Sequence, residues 1–338
     1  MNSATRTTFS PTYTYSLKKA SKCEVGKPAV ISTPKLHQGI DKLSAAPQKL
    51  NESSIMRATL LVASLLFSGT TYAGNNIDFH NIKEQKLIET FQQNEKAPPS
   101  QKIKIFSSLF LGNSYFSGRL IGSNHTHEKL VVDFGKLDCF TYLDYVESLR
   151  RSSSIHNFVE NVIRTRYTEG KVNYLFRKHF FSDWVNLEPR YVRDVTQSVS
   201  SHTITVTKQL NQKADGSPYI PGLKTKRRNI SYIPGDTIDS NTLSKLKDGD
   251  YIGIYAQTPG LDVTHTGIFI RQANGPMLRN ASRLSRNMKV VDSPFLDYVK
   301  KQPGIVVYRA IDAQSSQAQD MSDAKHYAAG LSAAARAE

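Results

Sequence analysis

The chain has 338 residues, of which 39% are hydrophobic and 22% charged, and its formal net charge at pH 7 is +15. This composition is that of a globular protein and excludes collagen-like and highly charged disordered chains. The length permits one to three domains. The excess of Lys and Arg favours an anionic partner, which leaves nucleic acid, anionic lipid and an acidic cell-wall polymer as candidates.

Residues 56–73 (MRATLLVASLLFSGTTYA) have the order of features that is typical of a secretory signal peptide. An arginine precedes an apolar run, and Thr71 and Ala73 occupy the small-residue positions of a cleavage site. The run is shorter than the ~20 residues of a membrane-spanning helix, so we predict no stable membrane anchor. The prediction is an exported protein of the periplasm or cell envelope; a buried helix is the alternative interpretation.

The two ends of the chain differ from its middle in composition. Residues 1–55 are rich in Ser, Thr, Lys and Pro, and they contain too little apolar surface to offset the entropy of ordering them. We predict that they are disordered, or that translation starts at Met56; an organellar transit segment is the alternative. Residues 313–338 are predicted to be a disordered tail. One domain, residues 74–312, remains.

This domain is predicted to have an α+β fold. Helical spacing of apolar residues predicts helices at 80–95, 101–118, 139–151 and 156–170. Alternating or short apolar runs predict strands at 200–210, 228–234, 250–257 and 264–272. The pair Asn274-Gly275 predicts the turn of an antiparallel hairpin. Because helices come first and strands follow without βαβ alternation, we expect N-terminal helices packed on an antiparallel sheet.

Cys139 is the only cysteine after residue 73, the other being Cys23. Asp138 is a favourable N-cap, which places Cys139 at the first position of a helix. Leu143 and Val146 share its helix face, so the thiol is expected to point inwards at the positive end of the helix dipole. We expect its pKa to be lowered there, as a nucleophile requires. The alternative is a buried cysteine that acts as a small hydrophobe.

His265 differs from the other histidines because it enters an apolar strand. It lies between two threonines and precedes Gly267, which we expect to leave room beside the ring. We interpret it as a catalytic imidazole held on a rigid strand; a core histidine bonded to a backbone carbonyl is the alternative. His125 and His127 lie in a polar loop without further ligands at metal-binding spacing, so neither a metal nor another cofactor is predicted.

Four motifs carry a resemblance to a known family: LDCFTYLDYVESL (137–149), LDVTHTGIFI (261–270), LRNAS (278–282) and VVDSPFLDYV (290–299). They resemble the NlpC-type papain-like cysteine peptidases of bacterial cell-wall metabolism, and within these the N-acetylmuramyl-L-alanine amidase branch. The resemblance spans residues 100–310 approximately. It implies a papain-like fold and cleavage of the amide between the lactyl group of muramic acid and L-alanine, in peptidoglycan or its fragments.

The resemblance also assigns roles to residues. Cys139 matches the nucleophile and His265 the general base. The group that orients the imidazole falls in LRNAS, where the family more often has histidine at the position of Asn280. Asn280 has a side-chain oxygen that accepts the imidazole N–H, and Ser282, on the same strand face, is the alternative. The predicted substrate-binding residues are Asp138, Arg177, Trp184 and Tyr232.

Three other functions remain open at this point. The same catalytic groups would serve an endopeptidase that cuts the stem peptide after D-glutamate. A catalytically inactive cell-wall binding module would keep the fold and give Cys139 the properties of an ordinary thiol. A nucleic-acid-binding protein is suggested only by charge, and the signal peptide and the lack of a binding motif disfavour it. We expect a monomer with no nucleic-acid partner.

Overall fold

The computed structural model describes residues 76–312. The predictions for residues 1–55, 56–73 and 313–338 lie outside the described residues. Between residues 76 and 312, no helix combines the length and the apolar character needed to cross a bilayer.

Helices and short strands are interspersed in the first half of this range, and longer strands predominate in the second half. The helices are α1 (Glu84–Gln93), α2 (Pro99–Ser108), α3 (Cys139–Arg150), α4 (Ile155–Arg166), α5 (Asp183–Asn186), α6 (Thr196–Val199), α7 (Ser240–Lys245) and α8 (Phe295–Val299). The strands are β1 (Asn76–Asp78), β2 (Ser114–Tyr115), β3 (Ile121–Ser123), β4 (Thr126–Lys129), β5 (Val131–Asp133), β6 (Lys136–Leu137), β7 (Val192–Asp194), β8 (Ile204–Leu210), β9 (Lys226–Pro234), β10 (Tyr251–Tyr255), β11 (Val263–Gln272), β12 (Gly275–Ser282), β13 (Lys289–Pro294) and β14 (Gly304–Ala310).

The four predicted helices and four predicted strands are confirmed, with differences in their bounds. The second helix was predicted to reach residue 118, but α2 ends at Ser108. Gly112 then adopts a φ of 89°, and the next residues enter β2. The fourth predicted helix ends at Arg166 because Tyr167 is extended. Strands β1 to β6 were not predicted, since two to four residues show no periodicity.

The main sheet has the strand order β6-β2-β13-β12-β11-β10-β14-β9-β8, and β7 pairs with β14. Its pairs are antiparallel, as predicted, except for β2 and β6. The predicted hairpin is present: Gln272 pairs with Gly275 across the turn, and Ile268 pairs with Arg279. This register brings residues 280–282 towards His265.

Helices cover both faces of the sheet. Helix α3 is buried along nearly its whole length and belongs, with α2 and α4, to the larger core cluster. Strand β11 contributes Ile268 to that cluster and Phe269 to a second cluster on the other face, where Phe295 and Val299 of α8 lie. The predicted layer of N-terminal helices is therefore present, and short helices later in the chain add a layer that was not predicted. The fold is mixed, with helices on a largely antiparallel sheet; its papain-like identity stays a prediction.

A buried ion pair fastens α3 to α4. Arg166 Nε lies 2.8 Å from Asp144 Oδ2, and Arg166 also donates to the Val131 carbonyl over 2.7 Å. We expect Asp144→Asn to lower the free energy of unfolding by roughly 3–5 kcal/mol, because it leaves a buried guanidinium without its counter-charge. Urea unfolding measures the loss. Glu169→Gln, which breaks an exposed pair with Lys171, is the control and should change stability little; equal losses in both variants would contradict the prediction.

Candidate active site

Helix α3 begins at Cys139, as predicted, because Asp138 caps it. The Asp138 Oδ1 atom accepts the N–H groups of Phe140 (3.0 Å) and Thr141 (2.8 Å), and Thr141 Oγ1 accepts the Asp138 N–H over 2.9 Å. This is a capping box, which fixes the backbone at the helix start. The N–H groups of Phe140 and Thr141 donate to the Asp138 side chain, whereas the N–H of Cys139 does not take part in the capping box. The Asp138 carboxylate therefore serves the cap, and its contact with substrate stays a prediction.

His265 and Asn280 are joined by a hydrogen bond of 3.0 Å between Nε2 and Oδ1. The Asn280 Nδ2 atom donates to the Leu278 carbonyl (3.0 Å) and to Ser293 Oγ (3.3 Å). Because a carbonyl only accepts, Nδ2 must face Leu278 and Oδ1 must face the imidazole. The imidazole therefore carries its proton on Nε2. Its Nδ1 lone pair is left as a base, the tautomer that an acceptor on the other nitrogen selects.

The Nδ1 atom of His265 is buried and has no hydrogen-bond partner within the described part of the chain. The residue as a whole is only 6% exposed. An unpaired buried polar atom is costly in a folded protein, so its presence needs an explanation. The alternative of a histidine bonded to a backbone carbonyl is wrong, since the bonded partner is the Asn280 side chain.

Thr266 connects the histidine strand to the cysteine helix. Its hydroxyl donates to the Cys139 carbonyl over 2.8 Å. Thr266 also acts through its backbone N–H to lower the pKa of the Cys139 thiol. The residue directly after His265 thus holds the start of α3. Cys139 therefore lies against the strand that carries His265, and His265 is bonded to Asn280.

The expectation that the helix start lowers the pKa of Cys139 is wrong. Burial raises the pKa of the thiol to about 11, and the Asp138 carboxylate adds to the rise. The hydrogen bonds from Thr266 and the charge of Arg283 act in the opposite direction but do not outweigh burial. The cost of removing a thiolate from water is therefore larger than the benefit of the helix start. Cys139 nevertheless keeps partial exposure of its surface.

Burial acts on His265 with the opposite sign. It lowers the pKa of the imidazole to about 4, and the charge of Arg283 adds to the effect, whereas the Asn280 bond and the Asp138 carboxylate raise it. Both shifts favour the uncharged forms. At neutral pH, the pair is therefore a neutral thiol and a neutral imidazole.

Gly267 does not make room for the imidazole, contrary to the prediction. A side chain at this position would collide with the Leu278 side chain of the neighbouring strand. The glycine therefore permits close packing of β12 on β11. The ring of His265 instead faces Tyr298 of α8, with 6.3 Å between the ring centroids.

The sequence analysis did not predict two residues that lie near these groups, Arg283 and Tyr298. The charge of Arg283 acts on Cys139, His265 and Tyr298 alike. Burial raises the pKa of the Tyr298 hydroxyl, and the charge of Cys139 adds to the rise. Both signals were present in the sequence: Arg283 directly follows LRNAS, and Tyr298 lies within VVDSPFLDYV.

Ser282 does not contact the imidazole. Its Oγ atom accepts the Leu284 N–H (3.4 Å) and the Asn287 Nδ2–H (3.0 Å), so the hydroxyl belongs to the turn after β12. Of the two residues that the sequence left open, only Asn280 hydrogen-bonds to His265.

Trp184 does not offer a surface on which a sugar can stack. It is 3% exposed and belongs to the larger core cluster. Its ring packs against Phe140 with a centroid distance of 5.7 Å and meets the edge of Tyr251 at 5.2 Å. The substrate-binding prediction for this residue is corrected to core packing directly beneath the first turn of α3.

Arg177 is already paired with a carboxylate of the protein. Its Nε and Nη2 atoms each donate over 2.7 Å to the buried Glu128 side chain. The guanidinium of Arg177 is thus occupied by Glu128, and its substrate-binding prediction is corrected to a structural ion pair. Tyr232 stacks on Tyr255 with 3.8 Å between parallel rings. Its contact with substrate stays a prediction.

The remaining polar candidates lie elsewhere. His125 and His127 are exposed in and beside the β3–β4 hairpin. From residue 76 to residue 312, His, Cys, Asp and Glu side chains form no group of three that is arranged to hold a metal ion.

Comparisons with known proteins identify a family for this chain. A family model described as AmiA-like, N-acetylmuramoyl-L-alanine amidase-like, matches residues 105–305. A crystal structure of an N-acetylmuramoyl-L-alanine amidase from Bacteroides uniformis is 29% identical, with a TM-score of 0.53, and the match covers 63% of this chain and 99% of that one. A second such structure from the same organism is 27% identical, with a TM-score of 0.54 and the same coverage.

A protein from Legionella pneumophila, in a domain-of-unknown-function family, is 24% identical with a TM-score of 0.58. The match covers 68% of this chain and 94% of that one, and it supports the fold alone. No curated protein matches the chain. The matched range of the family model covers more than half of the chain and includes Cys139, His265 and Asn280. The chain belongs to the AmiA-like, N-acetylmuramoyl-L-alanine amidase-like family.

Proposed function

We propose that the protein is a cysteine-dependent N-acetylmuramoyl-L-alanine amidase of peptidoglycan or its fragments, with a papain-like arrangement of Cys139, His265 and Asn280. One observation carries the proposal. The Asn280 bond holds the His265 proton on Nε2, and it leaves a buried, unpaired Nδ1 in the site where the helix start presents a cysteine. Membership of an amidase-like family supports the choice of substrate.

The reaction follows from the resting protonation states. The Cys139 sulfur attacks the lactyl carbonyl carbon as its proton passes to His265 Nδ1. The tetrahedral intermediate collapses with cleavage of the C–N bond, and His265 Nδ1–H gives its proton to the departing amine of L-alanine. A water molecule then loses a proton to His265 and attacks the thioester, which releases the acid and restores the thiol.

The negative oxygen of the tetrahedral intermediate needs donors that are already in place. The N–H of Cys139 at the start of α3 is the first, because the capping box engages the amides of Phe140 and Thr141 instead. The hydroxyl of Tyr298 is our candidate for the second, since it is near enough to Cys139 for the charge of the sulfur to raise its pKa.

The proposal includes the place of action. On the pattern of residues 56–73, we propose that the protein is exported to the periplasm or cell envelope and acts there as a monomer. Amino-terminal sequencing of protein recovered from the envelope tests export, and a sequence that begins after Ala73 is expected. An amino terminus at Met1 would contradict it.

The function is tested with synthetic N-acetylmuramyl peptides that contain L-alanine, D-glutamate and a third residue. Mass spectrometry of the products identifies the bond that is cut. Release of a peptide with a free L-alanine amino group is expected. Cleavage after D-glutamate would instead make the protein an endopeptidase with the same catalytic groups. Binding of the peptides without any cleavage would favour the inactive binding module.

The low pKa of His265 predicts an unusual pH profile. Because the imidazole must be unprotonated to accept the thiol proton, the acid limb of kcat/KM is expected near pH 4, well below the 6.5 of an ordinary histidine. Arg283→Gln removes a charge that lowers this pKa, so the acid limb should move to higher pH. Rates measured from pH 3.5 to 8 in buffers of constant ionic strength test both statements. An acid limb at pH 6.5 that Arg283→Gln leaves in place would contradict them.

A further inference from the structure

Arg283 occupies a distinctive position beside the reacting groups. It follows Ser282 at the end of β12, three residues after the Asn280 that bonds to His265, and its side chain is exposed. Asn280 is thus buried within strand β12, and Arg283 is exposed directly after the end of this strand. The charge of Arg283 reaches the thiol of Cys139, the imidazole of His265 and the hydroxyl of Tyr298, three groups on three different elements.

The segment that carries Arg283 is cationic. The turn between β12 and β13 and the first residue of β13 read RLSRNMK, with three basic residues and no acidic one. Leu284 and Met288 in this turn are exposed apolar side chains. The turn is held in place by the bond between Ser282 Oγ and Asn287 Nδ2 and by the bond from the Tyr115 N–H to the Met288 carbonyl.

The proposed substrate carries an anion close to the bond that is cut. His265 gives its proton to the departing amine of L-alanine, so the stem peptide must leave on the His265 side of the scissile bond. The next residue of the stem is D-glutamate, which is linked through its side chain and keeps its α-carboxylate free. One residue of chain spans about 3.5 Å, so this carboxylate lies within one to two residue lengths of the amine that His265 protonates.

We propose that Arg283 binds the first free carboxylate of the stem peptide, and that it thereby selects a stem with D-glutamate over one in which this carboxylate is an amide. The inference rests on the proposed amidase function. An arginine is suited to the task because its planar fork binds a carboxylate with two charge-assisted hydrogen bonds. Arg177, a predicted substrate-binding residue, is by contrast a structural partner of Glu128.

The test pairs two substrates with four proteins. The substrates are N-acetylmuramyl-L-alanyl-D-glutamate and its D-isoglutamine counterpart, which differ only in the carboxylate at issue. The proteins are the wild-type chain, Arg283→Gln, Arg283→Lys and Arg286→Gln. Arg286 lies in the same turn and is exposed, but its charge is not among those that act on Cys139 or His265. Circular dichroism and thermal unfolding check that each variant is folded.

The wild type is expected to cleave the carboxylate substrate with a kcat/KM about 10- to 100-fold higher than the amide. Arg283→Gln should remove this preference, mainly through KM for the carboxylate substrate. Arg283→Lys should keep part of it, because the charge remains and the fork is lost. Arg286→Gln should keep it in full.

Two results would overturn the inference and leave the amidase intact: cleavage of both substrates by the wild type without preference, or equal loss of preference in Arg283→Gln and Arg286→Gln. The second result would mean that the turn acts only through its total charge. Failure of the wild type to cleave either substrate would overturn the proposed function, and the inference with it.

Discussion

Cys139→Ala is expected to reduce kcat for cleavage of the muramyl–alanine bond about 10⁴-fold or more, with little change in substrate binding. The thiol is the atom that forms the bond to the lactyl carbon, and removing a nucleophile costs this much in enzymes that work through a covalent intermediate. The substituted side chain is small and partly exposed at the helix start. The capping box that defines this start uses Asp138 and Thr141, so α3 should form unchanged.

Single-turnover cleavage and substrate binding by calorimetry separate the two effects. Ser282→Ala is the control, because the Ser282 hydroxyl bonds to Leu284 and Asn287 and not to His265, and its rate should stay close to that of the wild type. Cys139→Ser adds a second comparison: a hydroxyl is harder to ionise than a thiol, so we expect it to be nearly as inactive as alanine. Unchanged cleavage by Cys139→Ala would contradict both the nucleophile and the proposed mechanism.

The parts of the site that were predicted correctly have local causes. A helix start is set by a few neighbouring residues, and Asp138 with Thr141 two places after Cys139 supplies the whole capping box. The hairpin after β11 is likewise set by its turn residues and by alternation on the two strands. The first places Cys139 at the start of a helix, and the second brings Asn280 to His265.

The parts that were missed depend on what surrounds a residue in space. The pKa of Cys139 is decided by burial, and a sequence reveals the helix start but not the depth of the site. Arg177 was expected to face substrate, yet Glu128, 49 positions earlier, occupies its fork. Trp184 lies under Phe140, a contact that no spacing in the sequence reveals. Arg283 was not predicted as a site residue, because the sequence does not show that its charge lies near Cys139 and His265.

Asn280→Ala is expected to lower kcat about 10²-fold, although Asn280 touches neither the substrate nor the thiol in the proposed mechanism. It is a positioning residue, since its Oδ1 atom holds the Nε2–H of His265 and thereby keeps the basic lone pair on Nδ1. Without it the imidazole can exchange tautomers and rotate, so that only part of the population can accept the thiol proton. A buried N–H also loses its acceptor, which should cost about 1–3 kcal/mol of stability.

Ser282→Ala is the matched control, because Ser282 lies on the same strand two residues later and bonds only to Leu284 and Asn287 among the contacts described. Its kcat should stay within a factor of about two. Nitrogen-15 NMR of the imidazole distinguishes orientation from general loss of structure: the wild type and Ser282→Ala should show a single Nε2–H tautomer, and Asn280→Ala a mixture.

Asn280→Asp keeps the acceptor and adds a negative charge that stabilises the imidazolium. We therefore expect it to restore the single tautomer and to move the acid limb of kcat/KM above pH 4. If Ser282→Ala were as inactive as Asn280→Ala while both kept one tautomer, the role would belong to strand β12 as a whole and not to the Asn280 amide.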